Sequence, residues 1–287
     1  MAKIHIISDS ASDIPVDIAE RLNIDIVPLT IRFGDEEFVD RFELTPAEFW
    51  AKCKASPVLP ETAAPSPGAF QAAYERAKAA GADGVLAVTL GSKLSATHQS
   101  ATLAAQAVAD QIPVKVLDTN AVTMAEGMIA IDLAERAQGG ASLDDLYNRG
   151  VELAAKTGVA GTIDTLEHLI KGGRLKGAKA IFGSVLSIKP LLELREGLVE
   201  EAGRARTRSK AFAALVEKAK AAGPLDRIAV SHGNSSDVEV IAEMLRAIPS
   251  THPLIVTDIG STVGTHGGAG IVGVSWISQK GSSAHHH

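Results

Sequence analysis

Groups able to hold an anion or move a proton are gathered in this sequence into a few short polar stretches. Ser8-Asp9-Ser10-Ala11-Ser12-Asp13 offers two carboxylates that could take a hard cation, although a cap cluster at a strand-to-helix turn explains the same residues more simply. Thr62-Ala63-Ala64-Pro65-Ser66-Pro67 and Leu90-Gly91-Ser92-Lys93-Leu94-Ser95-Ala96-Thr97 are hydroxyl-rich turns entering helices, where free backbone N–H groups and the helix dipole favour an anion. Taken singly, each is only a capping motif. Ile170-Lys171-Gly172-Gly173-Arg174-Leu175-Lys176-Gly177 is a basic glycine loop that could contact phosphate or simply be a solvated turn. The stretch from Gly260 to Gly270 packs glycines around His266 between strands, a density that lets backbone approach a ligand or another chain closely.

Missing motifs narrow the enzyme options. There is no Gly-x-x-x-x-Gly-Lys-Ser/Thr loop, no Gly-x-Ser-x-Gly elbow and no dinucleotide fingerprint after the first strand, so no familiar ATP or nucleotide cofactor loop is present. A Ser92, His266 and Asp118 triad stays open, because triads are defined by geometry and not by order. Cys53 is the single cysteine. It permits no intramolecular disulfide, and its setting after Phe49-Trp50 reads as a helix face rather than a metal site. Neither a metal nor a cofactor is expected.

The elements that must position these stretches alternate through the first half. Ile4 to Ser8 reads as a buried strand, and Asp13 with Pro15 places a cap and a first-turn proline before a helix with Ile18 and Leu22 on one face. Ile26 to Phe33 reads as the next strand. Thr45-Pro46-Ala47-Glu48 has capping-box spacing, and Ser66-Pro67 repeats the device before a helix from Phe70 to Ala80. A strand at 84–90, a helix at 96–110 and a strand at 114–117 complete a βαβ rhythm, which implies a largely parallel sheet with flanking helices. Two further helices, 125–138 and one from Ser142 to Thr157-Gly158, close the first half.

The boundary falls there, giving an N-terminal α/β domain at 1–158 that carries the hydroxyl-rich loops. A C-terminal α+β domain at 159–280 carries the Gly-rich histidine loop, and 281–287 reads as an expression tag remnant. In the second half, Leu191 to Leu194 and Leu198 to Glu201 flank Glu196-Gly197 as a hairpin. Helices at 209–222 and 237–248 and strands at 227–230, 254–257 and 271–277 follow, so this half is a mixed α+β layer. A length of 287 residues favours two domains. Hydrophobic residues make up 46% and charged residues 22%, enough apolar material for a core and a buried ligand. A net charge of −6 argues against a nucleic-acid partner, which would need an excess of Lys and Arg to neutralise phosphates. No run approaches the roughly 20 apolar residues that span a bilayer, nothing marks the chain for export, and a cytoplasmic location is expected, with transient membrane contact left open.

Taken in order, these stretches resemble the DegV family, and the likeness runs from Ile4 to about Ile277. It is carried by Ser8 to Pro15, Thr62 to Ser66, Ser92 to Ala101, Leu166 to Arg174, Lys189-Pro190, Arg204 to Thr207 and Gly264 to Gly270. Departures occur at Ala63-Ala64, Ala96-Thr97-His98 and Gly267-Gly268-Ala269-Gly270, and bear on acyl preference more than on binding. The resemblance implies an α/β, two-domain DegV-like fold, an N-terminal largely parallel sheet plus a mixed α+β C-terminal domain, holding a long-chain fatty acid such as palmitate or oleate in an apolar tunnel. It implies that Thr62 and Ser92 hydrogen-bond the carboxylate, with Ser95 beside them and His266 approaching from the second domain. It also implies the B-subunit type of fatty acid kinase, a lipid-binding subunit with no catalytic residue of its own. A separate ATP-binding kinase subunit would make the acyl-phosphate. Phosphoryl transfer needs charge neutralised, so Arg174 and Arg206 join His266 as residues facing the partner. The rivals are an acyl hydrolase or transferase using Ser92 and His266, and a lipid-responsive regulator with no kinase partner.

Overall fold

The computed structural model describes residues 2–175 and 188–280. The tag reading at 281–287 and the Lys176-Gly177 end of the basic loop lie outside the described residues. The fold is α/β, with an N-terminal parallel sheet flanked by helices and a mixed sheet in the C-terminal part.

Strands β1 (Ile4–Asp9), β2 (Ile24–Val27), β6 (Gly84–Thr89) and β7 (Val114–Asp118) form the parallel sheet in the order β2-β1-β6-β7. Their near-continuous apolar character suits strands covered on both faces. Helices α3 (Pro67–Ala79) and α4 (Thr97–Ala107) cover one face around Phe70, Tyr74 and Val85, while α1 (Val16–Leu22), α5 (Met124–Gln138) and α6 (Leu143–Ala154) cover the other. The chain winds one way from β1 to β2 and the other way from β6 to β7. The switch between β1 and β6 opens a crevice at the carboxyl ends of these strands.

The second sheet has the order β10-β9-β8-β13-β11-β12. It comprises β8 (Thr157–Thr162), β9 (Lys189–Arg195), β10 (Leu198–Ala205), β11 (Leu225–His232), β12 (Ile255–Asp258) and β13 (Val272–Ser278). The β9/β10 hairpin turns at Glu196 and Gly197, which adopt φ of 49° and 76°, the left-handed values that a tight two-residue hairpin turn requires. Helices α8 (Arg208–Ala221) and α9 (Val238–Arg246) bury Phe212, Leu215 and Ile241 against one face. The other face receives α5, so the cluster around Met128 and Ile129 also includes Ala229 and Ile277 of the second sheet. Glu135 of α5 and the buried Arg227 of β11 add an ion pair across the same seam.

A small antiparallel sheet, β4-β3-β5, is the element the sequence reading missed. The single strand expected over Ile26 to Phe33 breaks at Pro28-Leu29 into β2 and β3 (Thr30–Phe33), which join different sheets. Proline lacks the N–H that would continue the ladder. Strands β4 (Glu36–Val39) and β5 (Glu61–Ala63) flank β3, so Thr62 sits on a strand paired with Ile31 rather than in a turn. Other boundaries also move. Helix α1 is entered through Pro15, because Asp13 has φ 52° and spends its carboxylate elsewhere. The capping box at Thr45 and Glu48 forms as its spacing implies and starts α2 (Pro46–Ala55). Helix α6 stops at Ala154, so Thr157-Gly158 opens strand β8. The glycine-rich stretch winds Ser261–Gly267 into a short helix, α10, rather than a loop. A further short helix, α7 (Glu167–Lys171), packs against it.

Helix α5 approaches the β1–α1 connection closely at Gly127. A Cβ there would lie 2.6 Å from the Ser12 carbonyl oxygen. Alanine improves intrinsic helix propensity by about 1 kcal/mol, but overpacking against fixed backbone costs about 1–3 kcal/mol. Gly127→Ala is therefore expected to lower the urea midpoint with an unchanged slope, and a raised midpoint would show that this contact is not tight.

Candidate functional site

The crevice at the strand ends continues into a cavity between the parallel sheet, the small sheet with α10, and the part of the six-stranded sheet that α5 leaves uncovered. Its volume is about 130 Å³. Aliphatic side chains make the walls: Leu29, Leu90, Leu94 and Val122 from the parallel-sheet loops, Leu192, Leu194 and Val199 from the hairpin, and Ile259, Val263 and Ile271 around α10. Glu193 also borders the space, but its carboxylate accepts bonds from Lys218 and Arg195 at 2.9 Å each.

Polar groups in the cavity are few. Thr62 Oγ1 lies 3.0 Å from His266 Nε2. The pairing rotamer is set by β5 on one side and α10 on the other. Gly172 makes room for the ring, since a Cβ there would fall 2.4 Å from His266 Nδ1. Burial, with help from the Arg174 guanidinium and then His168, pushes the His266 imidazole down to about 4, so it is neutral near pH 7. Its Nδ1 is buried without a partner. An unfilled acceptor is tolerated better than an unfilled donor, which favours the tautomer with the proton on Nε2. In that form His266 donates to Thr62, and the Thr62 hydroxyl proton is free to donate to a ligand.

Arg174 stands beside this pair. Its Nη1 donates to the Gly172 carbonyl at 2.5 Å and its Nε to the Leu94 carbonyl at 3.4 Å. It has no carboxylate partner among the described residues. Ser95, next to Leu94, also lines the cavity, and its hydroxyl lies 2.9 Å from Thr97 Oγ1. Thr62, Ser95, Arg174 and His266 thus surround one space.

The structure does not bring Ser92 or Arg206 to this space. Ser92 is exposed and donates its backbone N–H to Asp118 Oδ1 at 3.1 Å. The Gly91-to-Leu94 turn points Ser95, not Ser92, inward. Arg206 is exposed between β10 and α8, away from the cavity lining. The Ser92, His266 and Asp118 set is likewise not assembled: Asp118 Oδ1 accepts from the backbone of Ser92 and Asn120, and His266 bonds Thr62.

Sequence reasoning missed Thr123 and Thr262, which line the cavity but give their hydroxyl protons to buried carboxylates. Thr123 Oγ1 donates to Asp13 at 2.6 Å, and Thr262 Oγ1 donates to Asp40 at 2.6 Å. Thr123 holds φ 53° and ψ −148°, a strained conformation for a β-branched residue. Asp13 also accepts from the Gly260 N–H at 2.8 Å and from Arg41 at 3.4 Å, and Asp40 accepts from Ser10 at 2.8 Å. The hydroxyl at a strand-to-helix turn was a signal for Thr123. No local signal marks Thr262, whose partner lies 222 residues away. The polar run after β1 therefore works as a junction; among the described residues no group of three or more His, Cys, Asp or Glu could hold a metal ion.

Burial raises Asp13 to about 6 and Asp9 to about 7. Glu126, fully buried beside Asp9, is raised well above the ordinary carboxyl range by burial and then by the Asp9 charge. It accepts from Ser8 at 3.1 Å through Oε1, while Oε2 finds no donor. A protonated Glu126 donating to Asp9 accounts for both.

A model of the DegV family of uncharacterised proteins matches residues 3–279. A DegV domain-containing protein of Streptomyces coelicolor is 37% identical over 274 residues, covering 94% of this chain and 96% of its own. A DegV family protein from Thermus thermophilus, solved as a fatty-acid-binding protein, superposes with a TM-score of 0.87 at 34% identity, covering 96% and 99% of the two chains. DegV of Bacillus subtilis, also described as a fatty acid binding protein, gives 0.85 at 30% identity over 97% and 100%. No helix among the described residues is long and apolar enough to cross a membrane.

The buried carboxyls make a stability prediction with a definite sign. Groups whose folded pKa is raised stabilise fully below their unfolded value, near 4, and lose that contribution as pH rises through the folded value. Glu126→Gln keeps a donor toward Asp9 and removes one such titration. The variant should lose less stability than the parent between pH 5 and pH 8 in urea titrations, and an equal or steeper loss would remove Glu126 from this role. His266, whose lowered pKa works in the opposite direction, is common to both proteins and cancels.

Proposed function

The chain belongs to the DegV family, and we propose that it binds a long-chain fatty acid, with the tail in the apolar cavity and the carboxylate at Thr62, Ser95 and Arg174. The observation that carries this reading is the composition of one space: aliphatic walls, two hydroxyls not committed to buried carboxylates, a neutral imidazole, and a guanidinium with no carboxylate partner among the described residues. The relatives solved with fatty-acid binding in their descriptions lend it support.

Energetics assign the parts. About 14 methylenes of a palmitate-sized tail at roughly 0.8 kcal/mol each give on the order of 11 kcal/mol before ordering costs, so the tail dominates affinity. The carboxylate cannot enter an apolar medium unpaired. Thr62, freed to donate by its bond from His266, and the Arg174 charge therefore orient the acid more than they tighten it. A finer reading comes from the family resemblance, and the lack of a phosphate-loop motif in the sequence is compatible with it. The protein presents the acid to a separate ATP-binding kinase, where a carboxylate oxygen attacks the γ-phosphorus of ATP, ADP leaves, and the acyl-phosphate forms. Arg174, and more remotely the exposed Arg206, are the residues we assign to the kinase-facing side.

Mass spectrometry of lipid extracted from the purified protein should recover a fatty acid, or the stripped protein should take up palmitate or oleate. Recovery of no fatty acid together with no uptake of either acid would end the carrier reading. Thr62→Val removes one hydroxyl donor at nearly constant shape and should weaken binding about tenfold or more, the value of a hydrogen bond to a charged group. Because His266 is already neutral, affinity should not fall as pH rises from 6 to 8, and a steep fall would mean an imidazolium holds the acid. ATP-dependent acyl-phosphate formation with a candidate kinase tests the finer reading. Product formed as fast without this protein would remove it.

A further inference from the structure

Glycine inside a protein is usually explained by backbone conformation or by close packing. Among the described residues, a Cβ added to Gly127, Gly150, Gly233, Gly264 or Gly267 would fall within 2.3 to 2.7 Å of another atom, so only a hydrogen fits. Gly268 is explained by its φ of 75°. Gly273 has neither reason. It is buried as the second residue of β13, its φ lies outside the left-handed region, and the nearest atom to an added Cβ is the Ala160 carbonyl oxygen at 4.0 Å. A buried position with nothing in front of it faces an enclosed void, and Gly273 does line the cavity.

Its cross-strand partner in register is Gly161 of β8, which lines the same cavity, and Gly161 pairs in turn with Leu192 of β9. The alternation of strands puts these directly opposed residues on one face. Gly161 is itself tight, since a Cβ there would lie 3.1 Å from the Val272 carbonyl oxygen; together the two glycines leave bare backbone beside Leu192, and at Gly273 there is room for the β-branched side chain that would strengthen the sheet. The sheet gives up that packing and keeps the space.

We propose that Gly273, with Gly161 opposite it, determines the length of chain the cavity accepts: the acyl tail crosses the sheet over this bare patch, and a side chain there would exclude the part beyond it. The inference rests on the fatty-acid reading above and adds to it the position that selects chain length. Bare backbone gives a flexible methylene chain close contact along a lane without demanding one shape.

The test is a panel of saturated acids from ten to eighteen carbons, measured on the full chain for the parent, Gly273→Ala and Gly273→Val. Valine suits a strand, and alanine adds a single methyl to open space, so thermal unfolding should show both folded. The valine variant should keep the parent's affinity for the shortest acids that the parent binds. It should lose the longer ones progressively, about fourfold for each methylene kept out at roughly 0.8 kcal/mol apiece. The alanine variant should shift the same way by less. An unchanged length profile in both variants, or equal loss at every length, would overturn the inference while leaving the carrier reading in place. A parent that takes up no acid of any length would overturn both.

Discussion

A carboxylate buried without partners is among the most costly things a fold can contain, and Asp13 is fully buried where three distant segments meet. It accepts from Thr123 at the start of α5, from the Gly260 backbone ahead of α10, and from Arg41 beyond the small sheet. Asp40 does the same for Ser10 and Thr262. Removing any one donor leaves the others to satisfy a charge in a low dielectric, so the segments hold together as a set. Because Thr123 and Thr262 line the cavity, the network that closes the seam also fixes where the cavity walls stand. Their hydroxyls are committed as donors to Asp13 and Asp40, which leaves Thr62 and Ser95 as the hydroxyls facing a ligand.

That division of labour explains how a polar seam and an apolar cavity can be neighbours. Helix α5 buries apolar side chains against both sheets and gives the molecule a shared core. The aromatic residues are spent elsewhere, with Phe49 and Trp50 stacked edge to face behind α10. What remains for the cavity is Leu, Ile and Val, whose contacts are many and individually weak. Such walls suit a flexible chain held by area rather than by shape, and leave the few polar groups for its end.

The parallel sheet was legible because both of its signals are local: apolar runs bounded by turn residues, and caps such as Thr45 and Ser66 at fixed spacing from the helices they start. The β9/β10 hairpin was legible from Glu196-Gly197 for the same reason. The small sheet was not. Strands of three or four residues carry too little period to register, and β5 pairs with β3 across about 30 residues of chain. Misreading β5 as a turn did not misplace Thr62, since a hydroxyl aimed at a cavity can sit on either. The serine pair is the instructive case. Ser92 and Ser95 share one polar turn, and nothing in spacing or composition says which faces in; that is decided by the Gly91–Leu94 turn and by Asp118, which ties down the Ser92 backbone. Arg174 and Arg206 looked alike for the same reason and part company only in three dimensions.

Burial also sets what the Thr62–His266 pair can do near pH 7. A general base works best with a pKa near the working pH, whereas burial and the Arg174 charge hold His266 far below it. An imidazole so depressed is a weak proton acceptor near pH 7. It can, without changing charge, fix the direction in which Thr62 donates. On the carrier reading proposed above, the carboxylate needs no deprotonation to attack phosphorus, since it is ionised already. On the same proposal, activation of the phosphoryl group falls to the separate ATP-binding kinase.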